Sequence, residues 1–340
     1  MTSTFRWGLI GSSDIAGTRM IAAIRAQGHI VQFVHSASAD RAASFAAEHG
    51  IPESGAGLAE LLASEVDAVY ISTTNDRHFR SASAALAAGK HVLCEKPLAL
   101  SAAEALAMIV LAESKGLVLA TNHHLPGSPL HATVRALVAT GAIGTVLSAR
   151  VAHAVLLPER LRGWRVADTA AGGGVIMDIT CHDASVLNPL LGSPKKVTAL
   201  GVRQAAWNSG ESMDAVMTVI EYESAEGNTV IAQTHDAFSV PDSPTRLEVH
   251  GSAGSLIVTD AMTQDTWGTV SLVTAHGTEL IPVDCSRDLY AIILDAFVGA
   301  IGGTAVPTAT GRDGLLALRV ALAAQESAQT GCTVELLDIY

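Results

Sequence analysis

The sequence predicts an α/β fold: an open, doubly wound parallel sheet followed by an α+β half. Three observations predict it. Short apolar runs alternate strictly with helical stretches as far as Asn122, the rhythm of parallel strands joined by crossover helices. A glycine-led turn, Gly11-Ser12-Ser13-Asp14-Ile15-Ala16, joins the first strand to the first helix. From Lys195 to Val283 strand follows strand with short turns, the pattern of an antiparallel sheet. The predicted division is residues 1–122 and 123–340, the second part carrying a large open, mainly antiparallel sheet.

In order, Arg6 to Ile10 reads as a strand, Ile15 to Ala26 as a helix and Ile30 to His35 as a second strand ending at Ser36. Helices follow over Ala42 to His49 and Gly57 to Ala63, then a strand over Ala68 to Ser72. Asn75-Asp76 cap a helix running to Ala88, and Gly89 closes it, because a residue without Cβ adopts the left-handed C-cap conformation cheaply. His91 to Cys94 form a short apolar strand with Glu95-Lys96 at its carboxyl end, and Pro97 keeps Lys96 out of helical angles. Ser101 caps a helix over Ala102 to Lys115, and Val118 to Thr121 is the last strand of this half.

Beyond Asn122, helices are expected near Pro129 to Ala139, from Gly174 to about Leu190, at Leu289 to Ile301 and at Gly311 to Ala328. Strands are expected at Val146 to Val155, Val197 to Val202, Ala215 to Tyr222, Thr229 to His235, Arg246 to Gly251, Ser255 to Val258, Thr269 to Thr274 and Glu279 to Val283.

Hydrophobic residues make up 49% of the 340 and charged residues 16%, enough for large cores and contrary to disorder. A formal net charge of −12 argues against nucleic-acid or anionic-membrane partners. Cys94, Cys181, Cys285 and Cys332 are scattered without a Cys-x-x-Cys pair, which fits reduced thiols and a cytoplasmic location. No signal-peptide pattern opens the chain, and no apolar run reaches the roughly 18 residues of a membrane span.

The turn after the first strand is a degraded dinucleotide fingerprint, Gly11-x-Ser13-x-x-Ala16. Gly11 suits the tight turn, Ala16 lets the helix lie close to the strand, and a helix N-terminus offers amides to a pyrophosphate. Ser13 stands where glycine is usual, and its hydroxyl can donate to a phosphate oxygen. At the end of the second strand an NAD site usually places a carboxylate for the ribose hydroxyls. This chain places Ser36 there, with Arg41 five residues on, a pair suited to a 2′-phosphate. NADP(H) is therefore favoured over NAD(H), with Asp40 as the residue that could reverse the choice.

Ala88-Gly89-Lys90-His91-Val92-Leu93-Cys94-Glu95-Lys96-Pro97 resembles the "AGKHV…EKP" signature of the glucose–fructose oxidoreductase/inositol dehydrogenase family. The resemblance extends over nearly the whole chain. Trp7-Gly8-Leu9-Ile10-Gly11, Ser72-Thr73-Thr74-Asn75, Thr121-Asn122-His123-His124, Gly163-Trp164-Arg165 and Gly172 to Asp183 carry a closer likeness to members that reduce a ketone on a sugar-like ring with NADPH. The resemblance implies a Rossmann domain and a substrate domain. It implies cofactor contacts at Gly11, Ser12, Ser13, Asp14, Ile15, Ala16, Ser36, Arg41, Ser72, Thr73, Thr74, Asn75, His78, Glu95, Lys96, Asn122, Trp164 and Arg165. It leaves open a monomer or a homo-oligomer built on the second sheet.

Hydride transfer to a ketone leaves negative charge on oxygen, which a lysine ammonium can stabilise and protonate. Lys96 is the first candidate, with Glu95 positioning it. Asp178 and His182, spaced i, i+4, share a face if helical, and the family places its acid/base histidine in this motif, so His182 is the second candidate and Asp178 its orienter or a ligand of substrate hydroxyls. Which of Lys96 and His182 gives the proton stays open. Trp164 and Arg165 offer an apolar face and a donor fork, and His123 and His153 can meet sugar hydroxyls. Gly172-Gly173-Gly174 permit close backbone approach to a ring, or form a flexible loop. A zinc site from the histidines is a rival without His-x-x-x-His spacing or clustered cysteines. Two other readings remain: a dehydrogenase of inositol or a pyranose, and a cofactor-binding sensor without catalysis.

Overall fold

The computed structural model describes residues 4–337. The chain forms two compact units. The first comprises the residues up to His124 together with Asp288–Leu315; the second comprises Leu125–Arg287 together with the residues from Leu316 on.

Six strands build the first unit's sheet: β1 (Arg6–Ile10), β2 (Ile30–His35), β3 (Glu53–Gly55), β4 (Ala68–Ile71), β5 (His91–Cys94) and β6 (Leu119–Thr121). Their order is β3-β2-β1-β4-β5-β6, and every pairing is parallel. Parallel strands are covered on both faces, which is why β4 and most of β5 are continuous apolar runs. Serine caps start two of the flanking helices and left-handed glycines end them. Ser38 accepts from Arg41 N–H and Gly50 closes Ala39–His49; Ser101 accepts from Glu104 N–H and Gly116 closes Ala102–Lys115.

Two local differences from expectation stand out. The first helix winds as a π-helix over Ala16–Met20 before becoming α-helical at Ile21–Ala26. The edge strand β3 was not expected, because Glu53-Ser54-Gly55 has no apolar member to signal it.

The helix Leu289–Ile301 packs into the first unit's core. Leu289, Tyr290, Ile293, Leu294 and Phe297 join Trp7, Met20, Ile24, Val34, Tyr70 and Leu93 there. The Trp7 and Phe297 rings lie 5.4 Å apart, and Thr310 bridges to Ala120 at the edge of β6. A single cut after residue 122 does not contain this return of the chain.

The second unit holds a nine-stranded sheet: β7 (Val146–Ala154), β8 (Ser193–Val202), β9 (Ala215–Glu223), β10 (Thr229–Ala237), β11 (Arg246–Gly251), β12 (Ser255–Thr259), β13 (Thr269–Thr274), β14 (Gly277–Ile281) and β15 (Val334–Glu335). Its order is β14-β13-β12-β11-β7-β10-β9-β8-β15. β7 and β10 pair in parallel, and all other neighbours are antiparallel. The fold class expected from the sequence therefore holds.

Alternation along the strands separates two faces. The inner face carries Val151 and His153 of β7 with Ala232, Thr234 and Asp236 of β10, all buried. The outer face exposes Leu200 and Val202 of β8, Met217 and Val219 of β9 and Ile231 of β10. The helix Cys181–Leu191, nearly all of it buried, follows a π-helical turn at Ile176–Thr180. A short helix at Glu159–Ala167 was not expected; it has no buried residue, and Gly163 interrupts it. Among the described residues no helix is long and apolar enough to cross a membrane.

Candidate active site

The strand order of the first sheet reverses between β1 and β4, and open α/β sheets bind ligands at the carboxyl ends beside such a reversal. Gly11 ends β1 there with φ +112°, and an added Cβ would lie 2.9 Å from the Ser72 carbonyl. The turn thus needs glycine. Ser13 Oγ accepts from the Ala16 N–H at 3.2 Å and donates to Ser72 Oγ at 2.7 Å, tying the turn to the end of β4. At the tip of β2, Ser12 Oγ donates to Ser36 Oγ at 3.2 Å, and an Arg41 Nη donates to the Ser12 carbonyl at 3.0 Å. Ser12, Ser36 and Arg41 therefore gather at one place, while Asp40 is exposed in the first turn of the next helix. Asp14 is exposed and Ile15 half-buried beside them. This cradle of small residues, with an arginine and no carboxylate on the strand tip, fits the phosphate and ribose end of a dinucleotide.

Beyond β4, Thr73 and Thr74 are half-buried and Asn75 is buried. His78 is fully buried, with Nδ1 2.8 Å from the Pro97 carbonyl and Nε2 3.2 Å from that of Thr73. Burial holds its pKa below the ordinary imidazole value. Its visible role is to pin the loops after β4 and β5 to one another.

Lys96 follows β5, half-buried and joined to Pro97 by a cis peptide. The Glu95 carboxylate beside it is fixed from two directions. Tyr70 Oη and Asn122 Nδ2 both donate to Glu95 Oε1 at 2.5 Å, and the Lys96 N–H donates to Oε2 at 3.3 Å. Glu95 is thus held in place next to Lys96. Neighbouring His123 is buried and its pKa is pushed down to about 3, first by burial and then by the Lys96 charge. In the first unit the structure therefore brings Lys96, Glu95, Asn122 and His123 together.

The second unit assembles another group. Asp178, in the π-helical turn, stands with Oδ2 3.4 Å from Arg165 Nε, and Arg165 lies over the Trp164 ring at 4.9 Å. The glycine run explains this closeness. The Gly174 N–H donates to the Arg165 carbonyl at 2.7 Å, and a Cβ at Gly173 would lie 2.7 Å from the carbonyls of Trp164 and Asp168. Close backbone approach was anticipated for this run; the partner visible here is the segment carrying Trp164 and Arg165. His182 is buried, its ring centroid 6.2 Å from that of His153.

Sequence reasoning missed the polar group beneath His153. His153 Nδ1 lies 2.8 Å from Asp183 Oδ1, and Asp183 is fully buried. Asp236, also fully buried, accepts through Oδ2 from Thr180 Oγ1 at 2.5 Å and Thr234 Oγ1 at 3.1 Å. The two buried carboxyls act on each other. Burial pushes Asp183 up to about 7. Asp236 is raised well above the carboxylate range, by burial and then by the Asp183 charge. One signal was available: Asp236 falls in phase with the buried Val230, Ala232 and Thr234, where an unpaired charge is costly.

Both halves match family models. Residues 5–123 match "Oxidoreductase family, NAD-binding Rossmann fold". Residues 135–336 match "Oxidoreductase family, C-terminal alpha/beta domain". The chain is 46% identical to a 1,5-anhydro-D-fructose reductase of Ensifer adhaerens, over 97% of this chain and 98% of that one. It is 30% identical to D-xylose 1-dehydrogenase (NADP(+)) 2 of Haloferax volcanii, over 97% and 99%. In fold it is similar to the crystal structure of an aldose-aldose oxidoreductase from Caulobacter crescentus, with a TM-score of 0.87 at 24% identity, covering 98% of this chain and 100% of that one. A dinucleotide cradle on the first sheet, an Asp-x-x-x-His turn on the second unit and likeness along both halves make this chain a member of the GFO_IDH_MocA family, a nicotinamide-dinucleotide-binding sugar oxidoreductase.

Proposed function

We propose that this protein is an NADPH-dependent reductase of a ketone on a sugar-like ring, and that it converts 1,5-anhydro-D-fructose to 1,5-anhydro-D-mannitol. The observation that carries the reading is the 46% identity to the Ensifer adhaerens reductase over nearly the full length of both chains. NADPH, when bound, supplies the hydride for the carbonyl carbon. Lys96 stabilises the charge that develops on the carbonyl oxygen. Asp178 and Arg165 hold ring hydroxyls, with Trp164 beneath the apolar ring face, and His123 and His153 contact further hydroxyls. One proton, from Lys96 or His182, completes the alcohol. Additivity separates the roles: if Lys96 and His182 serve one step, the paired replacement costs less than the sum of the single ones.

The assay is NADPH oxidation with 1,5-anhydro-D-fructose and a panel of ketoses and osones, run also in the oxidative direction with polyols. Turnover of the anhydroketose with NADPH supports the reading. Faster oxidation of inositol or a pyranose with NAD+ replaces it. The same reading places the enzyme in the cytoplasm, and light scattering decides between a monomer and an oligomer on the apolar stripe of β8 to β10.

Cofactor choice rests on the tip of β2. Charge-assisted hydrogen bonds contribute roughly 1.5–3 kcal/mol each. NADPH should therefore be preferred over NADH by roughly 10- to 100-fold in kcat/KM. Arg41→Ala should erase most of that preference by weakening NADPH alone. A fluorescence titration with both cofactors checks it; equal loss for both would remove Arg41 from the 2′-phosphate.

A further inference from the structure

We propose that Asp183 and Asp236 hold one proton between them, and that this acid pair is a positioning device that fixes the imidazole of His153 beside His182. The inference deepens the proposed function and rests on it for the part that concerns turnover.

The parallel register of β7 and β10 sets His153 directly against Asp236 on the inner face. Thr234 stands two residues earlier on the same strand and face. The turn and helix over Ile176–Leu191 supply Thr180 and Asp183. Two of the four carboxyl oxygens and their partners then follow. Asp183 Oδ1 takes His153 Nδ1, and Asp236 Oδ2 takes both threonine hydroxyls. Asp183 Oδ2 and Asp236 Oδ1 are buried and receive no N–H or hydroxyl. What remains to these two buried oxygens is each other, and oxygen bonds to oxygen only through a proton. Two bare carboxylates in contact in a dry interior repel strongly; sharing one proton removes that repulsion.

The surroundings agree. Besides each other, the two carboxyls meet His153. Tyr222 of β9 faces Asp183, and its phenol is pushed upward, first by burial and then by that carboxylate. His131 of the helix Pro129–Ala139 lies near His153, and its Nε2 is 2.8 Å from the Ala261 carbonyl. Arg135 of the same helix acts on His131. With one proton on the pair, its single negative charge sits where Asp183 faces Nδ1. That holds the proton of a neutral His153 on Nδ1 and makes Nε2 the acceptor.

The test uses the full-length protein with its histidines labelled with 15N, in three forms: wild type, Asp236→Asn and Asp183→Asn. Infrared spectra of the wild type at neutral pH should show the carbonyl stretch of a buried neutral carboxyl, and Asp236→Asn should lack it. NMR should show His153 as the Nδ1–H tautomer in the wild type. It should stay so in Asp236→Asn, where the amide can donate to Asp183 in place of the shared proton. In Asp183→Asn the ring should move toward the Nε2–H form, and kcat should fall by roughly 10- to 100-fold with NADPH affinity unchanged. A wild type without the neutral-carboxyl band overturns the proposal, and so does an unchanged His153 tautomer in Asp183→Asn. Should Asp183→Asn fail to fold, the infrared comparison of wild type with Asp236→Asn decides alone. A wild type that reduces no sugar ketone ends the proposed function, while the band and the tautomer still judge the acid pair.

Discussion

Replacing Lys96 by methionine should lower kcat by about a thousandfold or more while NADPH binding stays within a few-fold of the parent. Two effects combine in that figure. Loss of one preorganised donor to a developing oxyanion costs roughly 10²- to 10³-fold, and loss of a positioned proton donor roughly 10²- to 10⁴-fold. The neighbourhood makes the experiment clean. Glu95 remains anchored by Tyr70 and Asn122 whether or not the ammonium is present. The loop remains fixed by His78 between the Thr73 and Pro97 carbonyls. Methionine matches the length and apolar stem of lysine, so packing is kept and the charge removed. His123 reports independently: its pKa, held near 3 partly by the Lys96 charge, should rise in Lys96→Met. Turnover unchanged beside an altered His123 would show the substitution took effect and that Lys96 has no part in the reaction.

How much of this was legible in the sequence depends on the range of the interaction. Gly11, Ser36 and Lys96 are candidates from sequence because each sits where a local pattern ends: an apolar run, then a turn residue or a proline. Periodicity reports on neighbours in sequence, so it identified the helix Leu289–Ile301 but not the sheet that helix covers. The same limit hid the support of Glu95. Tyr70 and Asn122 are 25 and 27 residues away from it, and nothing local distinguishes Tyr70 from an ordinary core aromatic. The Ser13 hydroxyl also bridges to Ser72, a contact 59 residues apart that no local pattern announces. The acid pair was the largest omission, because Asp183 and Asp236 face one another only after the helix over Cys181–Leu191 lies on β10.

Acidification below about pH 6.5 should destabilise the fold steeply, and the histidines decide the sign. His78, His123 and His131 are all buried with pKa values below the ordinary imidazole value, His123 at about 3 and His131 at about 4. Burial is the leading cause in each. Between the folded and unfolded pKa values the unfolded chain binds a proton at each site that the folded chain refuses. Stability therefore falls as pH falls, by about 1.4 kcal/mol per pH unit for each such site. The acid pair works in the opposite direction. Its folded pKa is raised, so the native state keeps a proton that the unfolded state releases above the ordinary carboxylate range. That contribution is full at low pH and falls as pH rises above the ordinary carboxylate range, until the pair gives up its proton. Near pH 5, two protons refused by His123 and His131 against one retained by the acid pair leave a net uptake of about one on unfolding, so stability should drop by roughly 1.4 kcal/mol per unit there. Urea midpoints followed by tryptophan fluorescence from pH 7 to 4.5 measure the slope. His131→Gln should flatten it by about one proton, and Asp236→Asn should steepen it by about one. A midpoint that does not move across that range would mean these histidines titrate normally in the native protein, and would overturn the prediction.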